Sequence, residues 1–279
     1  MQEAFQYIRN SLAGIYPDNE INSISYLLLT EVTGLNRTGI ILNKNTNISD
    51  NQRQQLEEFV KQLQTKRPIQ YVLGYTEFYG LRFEVDESVL IPRPETEELV
   101  DWVRESIDTT LPLKIMDIGT GSGCIAIALK SVFKNSEVTA VDVSQSALTT
   151  ASKNATSNSS ELNFQQIDIL QLNALTQKQN IIVSNPPYIP TKEMVDIEAH
   201  VLDYEPHSAL FVPDSDPLLF YRKISMLAQE GLFDGGFLFF EIHRDYGQQT
   251  VDMLSEIGFK SIVLKKDIAG NNRMIRAVK

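Results

Sequence analysis

The chain has 279 residues, 42% hydrophobic and 22% charged, which suits one large domain or an ordinary domain with a smaller companion and excludes a disordered or fibrous class. Its 25 basic and 36 acidic side chains give a formal charge of −11, which argues against a protein that gains affinity by coating a phosphate backbone. The single cysteine, Cys124, rules out an internal disulfide, and with only His200, His207 and His243 beside it no Cys/His metal pattern can be drawn, so a reducing, cytoplasmic setting without a metal is expected.

The first residues, "MQEAFQYIRN", carry Glu3 and no continuous apolar segment, and no later run approaches the ~20 apolar residues of a membrane span, so neither export nor membrane attachment is expected. Phe5, Ile8 and Leu12, then Ile21, Ile24 and Leu28, keep helical spacing. Residues 51–66 place Leu56, Phe59, Val60 and Leu63 at i, i+3, i+4 and i+7, with Ser49 or Asp50 as cap. A small helical domain over 1–75 is predicted. The period changes in "GLRFEVDESVLIPRPE", where Leu81, Phe83 and Val85 alternate with Arg82, Glu84 and Asp86. This predicts a β-hairpin linker over 76–95, leading into a second domain over 96–279.

From about residue 112 the pattern is βαβ: "LKIMDI", a glycine loop, the helix "CIAIALKSVF", then "EVTAVDV", a helix, "NFQQIDI", a helix or loop, and "NIIVSNPPY". These strands are almost continuously apolar, as in a parallel sheet covered on both faces. After "GFLFFEI" and a helix around "QQTVDMLSEIG" come two last strands, "SIVLKK" and "RMIRAV". The connection "DIAGNN" between them is far shorter than the dozen or so residues a parallel crossover needs, so they form an antiparallel edge hairpin. The expected fold is α/β: a Rossmann-like domain with a mostly parallel seven-stranded sheet, preceded by the helical bundle and the hairpin.

"DIGTGSGC" ends a predicted strand and opens a helix, the context in which a glycine motif carries meaning. Gly119, Gly121 and Gly123 allow a sharp turn and a close approach of backbone to ligand. A dinucleotide fingerprint requires glycine where Cys124 stands; G-x-G-x-G after an acid resembles instead the S-adenosylmethionine loop of class I methyltransferases. Asp142, ending the next strand, is placed to accept the two ribose hydroxyls of an adenosine, and equally to cap the following helix. Asp168, ending the third strand, can take an adenine amino group with Ile169 against the ring, or serve as an ordinary loop aspartate.

In "IIVSNPPYIP" two prolines stop the fourth strand abruptly. In doubly wound sheets the ends of the first and fourth strands lie side by side at the switch point where ligands bind. Methyl transfer to a planar nitrogen suits Asn185, Pro186, Pro187 and Tyr188. The Asn185 side-chain oxygen and the Pro186 carbonyl each accept one hydrogen of the amide, and Tyr188 stacks on the flat group. Such a nitrogen becomes acidic only as it is alkylated, so no strong base is needed. The plain alternative is a strand terminator.

These residues resemble a specific family, the release-factor glutamine methyltransferases, often called HemK or PrmC. The resemblance covers "RPIQYVLGYTEFYGLRFEVDESVLIPRPETE", "DIGTGSG", Asp142, "VSNPPYIP", "YEPHSAL" and "AGNNRMIRA". It implies that Gly119, Thr120, Gly121, Ser122, Gly123, Asp142, Ile169 and Asn185 hold S-adenosylmethionine, to which the strand-end reading adds Asp168. It further implies that Asn185, Pro186, Pro187 and Tyr188 hold the glutamine of a Gly-Gly-Gln loop in class I peptide release factors. The N-terminal helices would help grip that partner, and a monomer is expected. Arg93, Glu95 and Thr96 border the site by the same resemblance, with a polar linker containing a turn-forming "PRP" as an equal explanation; Glu205 and Glu241 acquire no role. Two rivals are an adenine-amino methyltransferase, which would need a basic channel for a flipped base, and a non-catalytic adaptor, which has no use for amide acceptors.

Overall fold

The computed structural model describes residues 1–279 and divides into two compact units, Met1–Gly74 with Glu198–Tyr204, and Tyr75–Ile197 with Glu205–Lys279. The first unit is all helical: α1 (Gln2–Leu12), α2 (Asp18–Thr33), α3 (Arg37–Leu42), α4 (Asp50–Gln64) and α5 (Ile69–Leu73). Ile8, Leu12, Ile21, Leu28, Leu56, Val60 and Leu63 form its buried core, the stripe that the spacing predicts. At the start of α4, Ser49 and Gln52 exchange side-chain and backbone hydrogen bonds in a capping box. The short helix Ala199–Tyr204 belongs to this unit, where the Tyr204 hydroxyl meets the Thr65 carbonyl and hydroxyl at 3.0 and 2.8 Å. No change in composition marks residues 198–204 off from their neighbours, which is why sequence reading leaves them with 96–279.

The second unit opens with the hairpin β1 (Tyr75–Phe78) and β2 (Leu81–Glu84). The turn residues Tyr79 and Gly80 have φ of 53° and 71°, the two left-handed positions that a tight hairpin needs. Tyr79 is bulky for that conformation, and it is tethered: its N–H donates to Glu97 at 2.7 Å and its hydroxyl to Asp101 at 2.8 Å. The hairpin is no free linker, since Phe78 and Phe83 are buried in the core of this unit. Nor is "PRPE" a loop: Pro94 is the first residue of helix α6 (Pro94–Ser106), where its missing N–H costs nothing and Glu95 and Glu97 face the positive end of the helix dipole.

The main sheet comprises β3 (Lys114–Ile118), β4 (Glu137–Asp142), β5 (Asn163–Gln166), β6 (Gln179–Ser184), β9 (Leu232–Glu241), β10 (Lys260–Lys266) and β11 (Asn272–Val278); β7 (Ile189–Pro190) and β8 (Phe211–Val212) form a separate two-stranded ladder. Its order is β10-β11-β9-β6-β3-β4-β5, parallel from β9 to β5, with β11 antiparallel to both β9 and β10. Side chains alternate between two cores. Ile115, Ile181, Val183 and Phe239 pack against α6 and helix α7 (Cys124–Val132). Met116, Ile182, Leu238 and Phe240 pack against helix Leu219–Gly231 and Leu254 of helix Gly247–Ile257. With about 1.5–3 kcal/mol for each large apolar side chain removed from water, this two-sided burial holds the strand ends in register. Between β5 and β6 no helix forms; residues 167–178 are turns and loop.

Candidate active site

The site is built where β3 and β6 end side by side. Ile118 pairs with Ser184, and the Ser184 hydroxyl donates to the Ile118 carbonyl at 2.6 Å, locking the two strand ends together. The residues after Ile118 are the glycine loop and the residue after Ser184 is Asn185.

The loop is turned by three left-handed glycines, Gly119, Gly121 and Gly123, with φ of 75°, 53° and 81°. A side chain at Gly123 would crowd Ala151 and Ile127, so this glycine serves the packing of α7 against helix α8 (Gln145–Ser157). Above Gly119 and Gly121 lies open space, so there a ligand can approach the bare backbone. The Gly119 and Thr120 N–H groups donate to the Val141 carbonyl, and the Gly121 N–H donates to Asp142 Oδ2 at 2.9 Å. The other oxygen of Asp142 accepts from the Ser144 N–H at 2.9 Å, while the cap of α8 is the Ser144 hydroxyl. Asp142 therefore braces the loop rather than capping the helix.

Under the loop, Asp117 is fully buried. The Thr120 hydroxyl donates to its Oδ2 at 2.6 Å, while Oδ1 has no hydrogen-bond partner; the Ala126 N–H also favours the charged carboxyl, but from outside good hydrogen-bond geometry. Burial, with a smaller push from Asp142, raises the Asp117 carboxyl to about 7 against the pull of the Thr120 hydroxyl.

On the other side of the switch point, Asn185 and Tyr188 are half-buried and tied to the rest of the unit. The backbone N–H groups of Tyr188 and Ile189 donate to the Leu210 carbonyl at 3.2 and 2.9 Å, which gives "YEPHSAL" a structural task beside Asn185–Tyr188. Glu241, ending β9, accepts from the Thr96 hydroxyl at 2.7 Å with one oxygen and from the Tyr188 hydroxyl at 3.3 Å with the other. Asn185 Nδ2 in turn meets the Thr96 hydroxyl oxygen at 3.4 Å. A second buried acid, Glu205, pairs with Arg93 and accepts from the Ile91 N–H, fixing the chain that enters α6.

The N-terminal residues 3–74 match the family model "PrmC N-terminal domain", and residues 99–203 match "Methyltransferase small domain". A release factor glutamine methyltransferase from Flavobacterium psychrophilum is 48% identical over 269 residues, 95% of this chain and 94% of that relative. The chain belongs to the release factor glutamine methyltransferase family. The Bacteroides thetaiotaomicron member is 42% identical over 279 residues, 99% of each chain. A methyltransferase structure from Pyrococcus furiosus, 16% identical, superposes with a TM-score of 0.52 over 83% of this chain and 99% of its own, a likeness of fold alone.

In this member of the family, the expected residues divide into groups. Gly119, Thr120, Gly121, Ser122, Gly123 and Asp142 form one connected loop, and Asn185, Pro186, Pro187 and Tyr188 follow directly from the neighbouring strand. Ile169 is buried with Ile118 and Val141, beneath the ends of β3 and β4. Asp168 stands apart: it is exposed, and its carboxylate accepts from the Leu170 N–H at 2.9 Å, turning its own loop. Sequence reading assigned nothing to Glu205 and Glu241. For Glu241 one signal existed: a carboxylate closing a wholly apolar strand must find partners when buried.

The electrostatics follow from burial. Desolvation pushes the Glu241 carboxyl up, opposed by the Thr96 and Tyr188 hydroxyls and by Arg273. Burial first, then Glu241, pushes the Tyr188 hydroxyl well up, so it stays a neutral donor. The Tyr188 ring stands edge-on to His243 at 5.9 Å. His243 Nδ1 accepts from the Asp245 N–H, so its Nε2 carries the hydrogen, directed at Glu193 at 3.0 Å in the segment that follows the prolines.

Proposed function

We propose that this enzyme transfers the methyl group of S-adenosylmethionine to the side-chain amide nitrogen of the glutamine in the Gly-Gly-Gln loop of class I peptide release factors. The observation that carries the reading is the pairing of β3 with β6, which brings an open glycine loop and Asn185–Tyr188 together at the C-terminal ends of two central parallel strands. The name shared by the relatives, release factor glutamine methyltransferase, supports the substrate.

The loop fits the donor: open backbone at Gly119 and Gly121, with the Asp142 carboxylate beside it for the ribose hydroxyls and Ile169 for the adenine. Asp168 remains a proposed adenine contact through whichever lone pairs its own turn leaves. When bound, S-adenosylmethionine supplies an electrophilic methyl group. The protein's part is positioning. Asn185 Oδ1 and the Pro186 carbonyl each accept one amide N–H, turning the nitrogen lone pair toward the methyl, while the Tyr188 ring covers the flat amide and excludes water. Pro186 and Pro187 hold φ fixed, so the acceptors need little reorganisation. As the N–CH3 bond forms the S–CH3 bond breaks and S-adenosylhomocysteine leaves; the alkylated nitrogen, now strongly acidic, sheds one of its two hydrogens to solvent as the product is released, which requires no buried base.

The helical unit reads the folded partner, with Leu27, Ile41 and the 79%-exposed Leu42 as apolar anchors. The same reading makes the enzyme a cytoplasmic monomer that needs no metal and does not bind nucleic acid directly. No helix is long and apolar enough to cross a membrane.

The test is incubation with labelled methyl donor and separate pools of release factor, DNA and RNA. Label confined to the release factor is expected. Label in DNA or RNA would instead favour transfer to a base amine.

A further inference from the structure

Thr96 and Glu241 are assigned to neither ligand in the proposed reaction, yet both are buried, at 3% and 2% exposure, and they contact Asn185 and Tyr188, which are. The hydroxyl of a threonine has one hydrogen to give. Here it goes to Glu241 Oε2 at 2.7 Å, the shortest contact in the cluster. What the Thr96 oxygen can then offer Asn185 is lone pairs only, and lone pairs attract the NH₂ end of an amide and repel the C=O end. The contact at 3.4 Å is indeed with Nδ2.

We infer that Glu241 and Thr96 form a positioning relay that decides which way round the Asn185 amide sits, committing Nδ2 to the protein and leaving Oδ1 as the acceptor for the substrate amide. An Asn185 flipped end for end would present its own N–H groups to the N–H groups of glutamine, donor against donor. The second oxygen of Glu241 meanwhile accepts from Tyr188, so one carboxylate orients both side chains that meet the substrate. The inference rests on the proposed role of Asn185 as acceptor and adds residues on α6 and β9 to the machinery. It also accounts for a buried carboxylate at the end of an apolar strand and for a threonine in the first turn of α6, two features that packing alone does not require.

The relay is tested by measuring single-turnover methylation of intact release factor, donor affinity by calorimetry and thermal midpoint for Thr96→Val, Thr96→Ser, Asn185→Ala and the double variant Thr96→Val/Asn185→Ala. Thr96→Val keeps the shape and deletes the hydroxyl. Its rate at saturating substrate is expected to fall about tenfold with donor affinity unchanged, while Thr96→Ser stays within about twofold of wild type. Because Thr96 acts through Asn185, the valine should slow the enzyme no further when Asn185 is already alanine. A Thr96→Val enzyme at wild-type rate overturns the relay, and so does an equal slowing in the presence and absence of Asn185. If valine lowers the thermal midpoint sharply, Thr96→Ala carries the same expectations. Should Asn185→Ala itself run near wild type, the acceptor role is what fails; a slow Asn185→Ala beside a fast Thr96→Val removes the relay alone.

Discussion

Asn185→Ala is expected to leave donor binding largely intact and to slow methyl transfer by roughly 10²-fold or more, the scale of losing one positioned polar contact at a reacting centre. Asn185 follows β6 directly, is anchored from behind by Thr96, and borders the glycine loop through the Ile118–Ser184 pairing. In the proposed complex, removing its side chain deletes one of two acceptors and leaves the glutamine amide free to rotate about the other. The backbone of Tyr188 and Ile189 stays pinned to Leu210, so the fold of the segment survives. Single-turnover rates with intact release factor, alongside calorimetry with S-adenosylmethionine, check both halves. A rate close to wild type would remove Asn185 from the chemistry.

Asp142→Ala acts on the other ligand. It should weaken donor affinity by about 1 to 3 kcal/mol, the range for hydrogen bonds to a charged acceptor. Two losses contribute. In the proposed complex the ribose hydroxyls lose their acceptor, and the Gly121 N–H loses its bond to the Asp142 side chain. Asp142→Asn tells the same story more sharply. If its oxygen keeps the Ser144 N–H, its NH₂ must face the Gly121 N–H, donor against donor, so the asparagine variant is expected to bind the donor no better than the alanine variant. Calorimetric titration decides it, and unchanged affinity in Asp142→Ala would reduce this residue to a loop brace.

Much of this was legible because the signals were local. Continuous apolar runs marked β3, β4 and β6 as buried parallel strands, the short "DIAGNN" connection forced β10 and β11 to be antiparallel, and three glycines in one βα loop marked a tight turn, of which Gly119 and Gly121 leave the backbone open and Gly123 lets two helices pack. The parts that were not legible are those that depend on distant pairing. Glu241 meets Thr96 across 145 residues and Glu205 meets Arg93 across 112, and no spacing rule links such positions. The prolines misled in one place and informed in another. Around Arg93 they read as linker because the helix starting at Pro94 hides its first turn in a proline motif, whereas Pro186 and Pro187 ended a strand as expected. Asp168 illustrates the ambiguity of aspartate after a strand, since the turn it makes with Leu170 is as natural a use as any ligand contact.

The most direct measurement is fragment mass spectrometry of a release factor incubated with the enzyme and S-adenosylmethionine, mapping where the methyl group lies. One methyl on the side-chain nitrogen of the Gly-Gly-Gln glutamine, present with wild-type enzyme and absent with Asn185→Ala, is the predicted result. A methyl on any other residue, or an unmodified glutamine after full turnover of the donor, would contradict it.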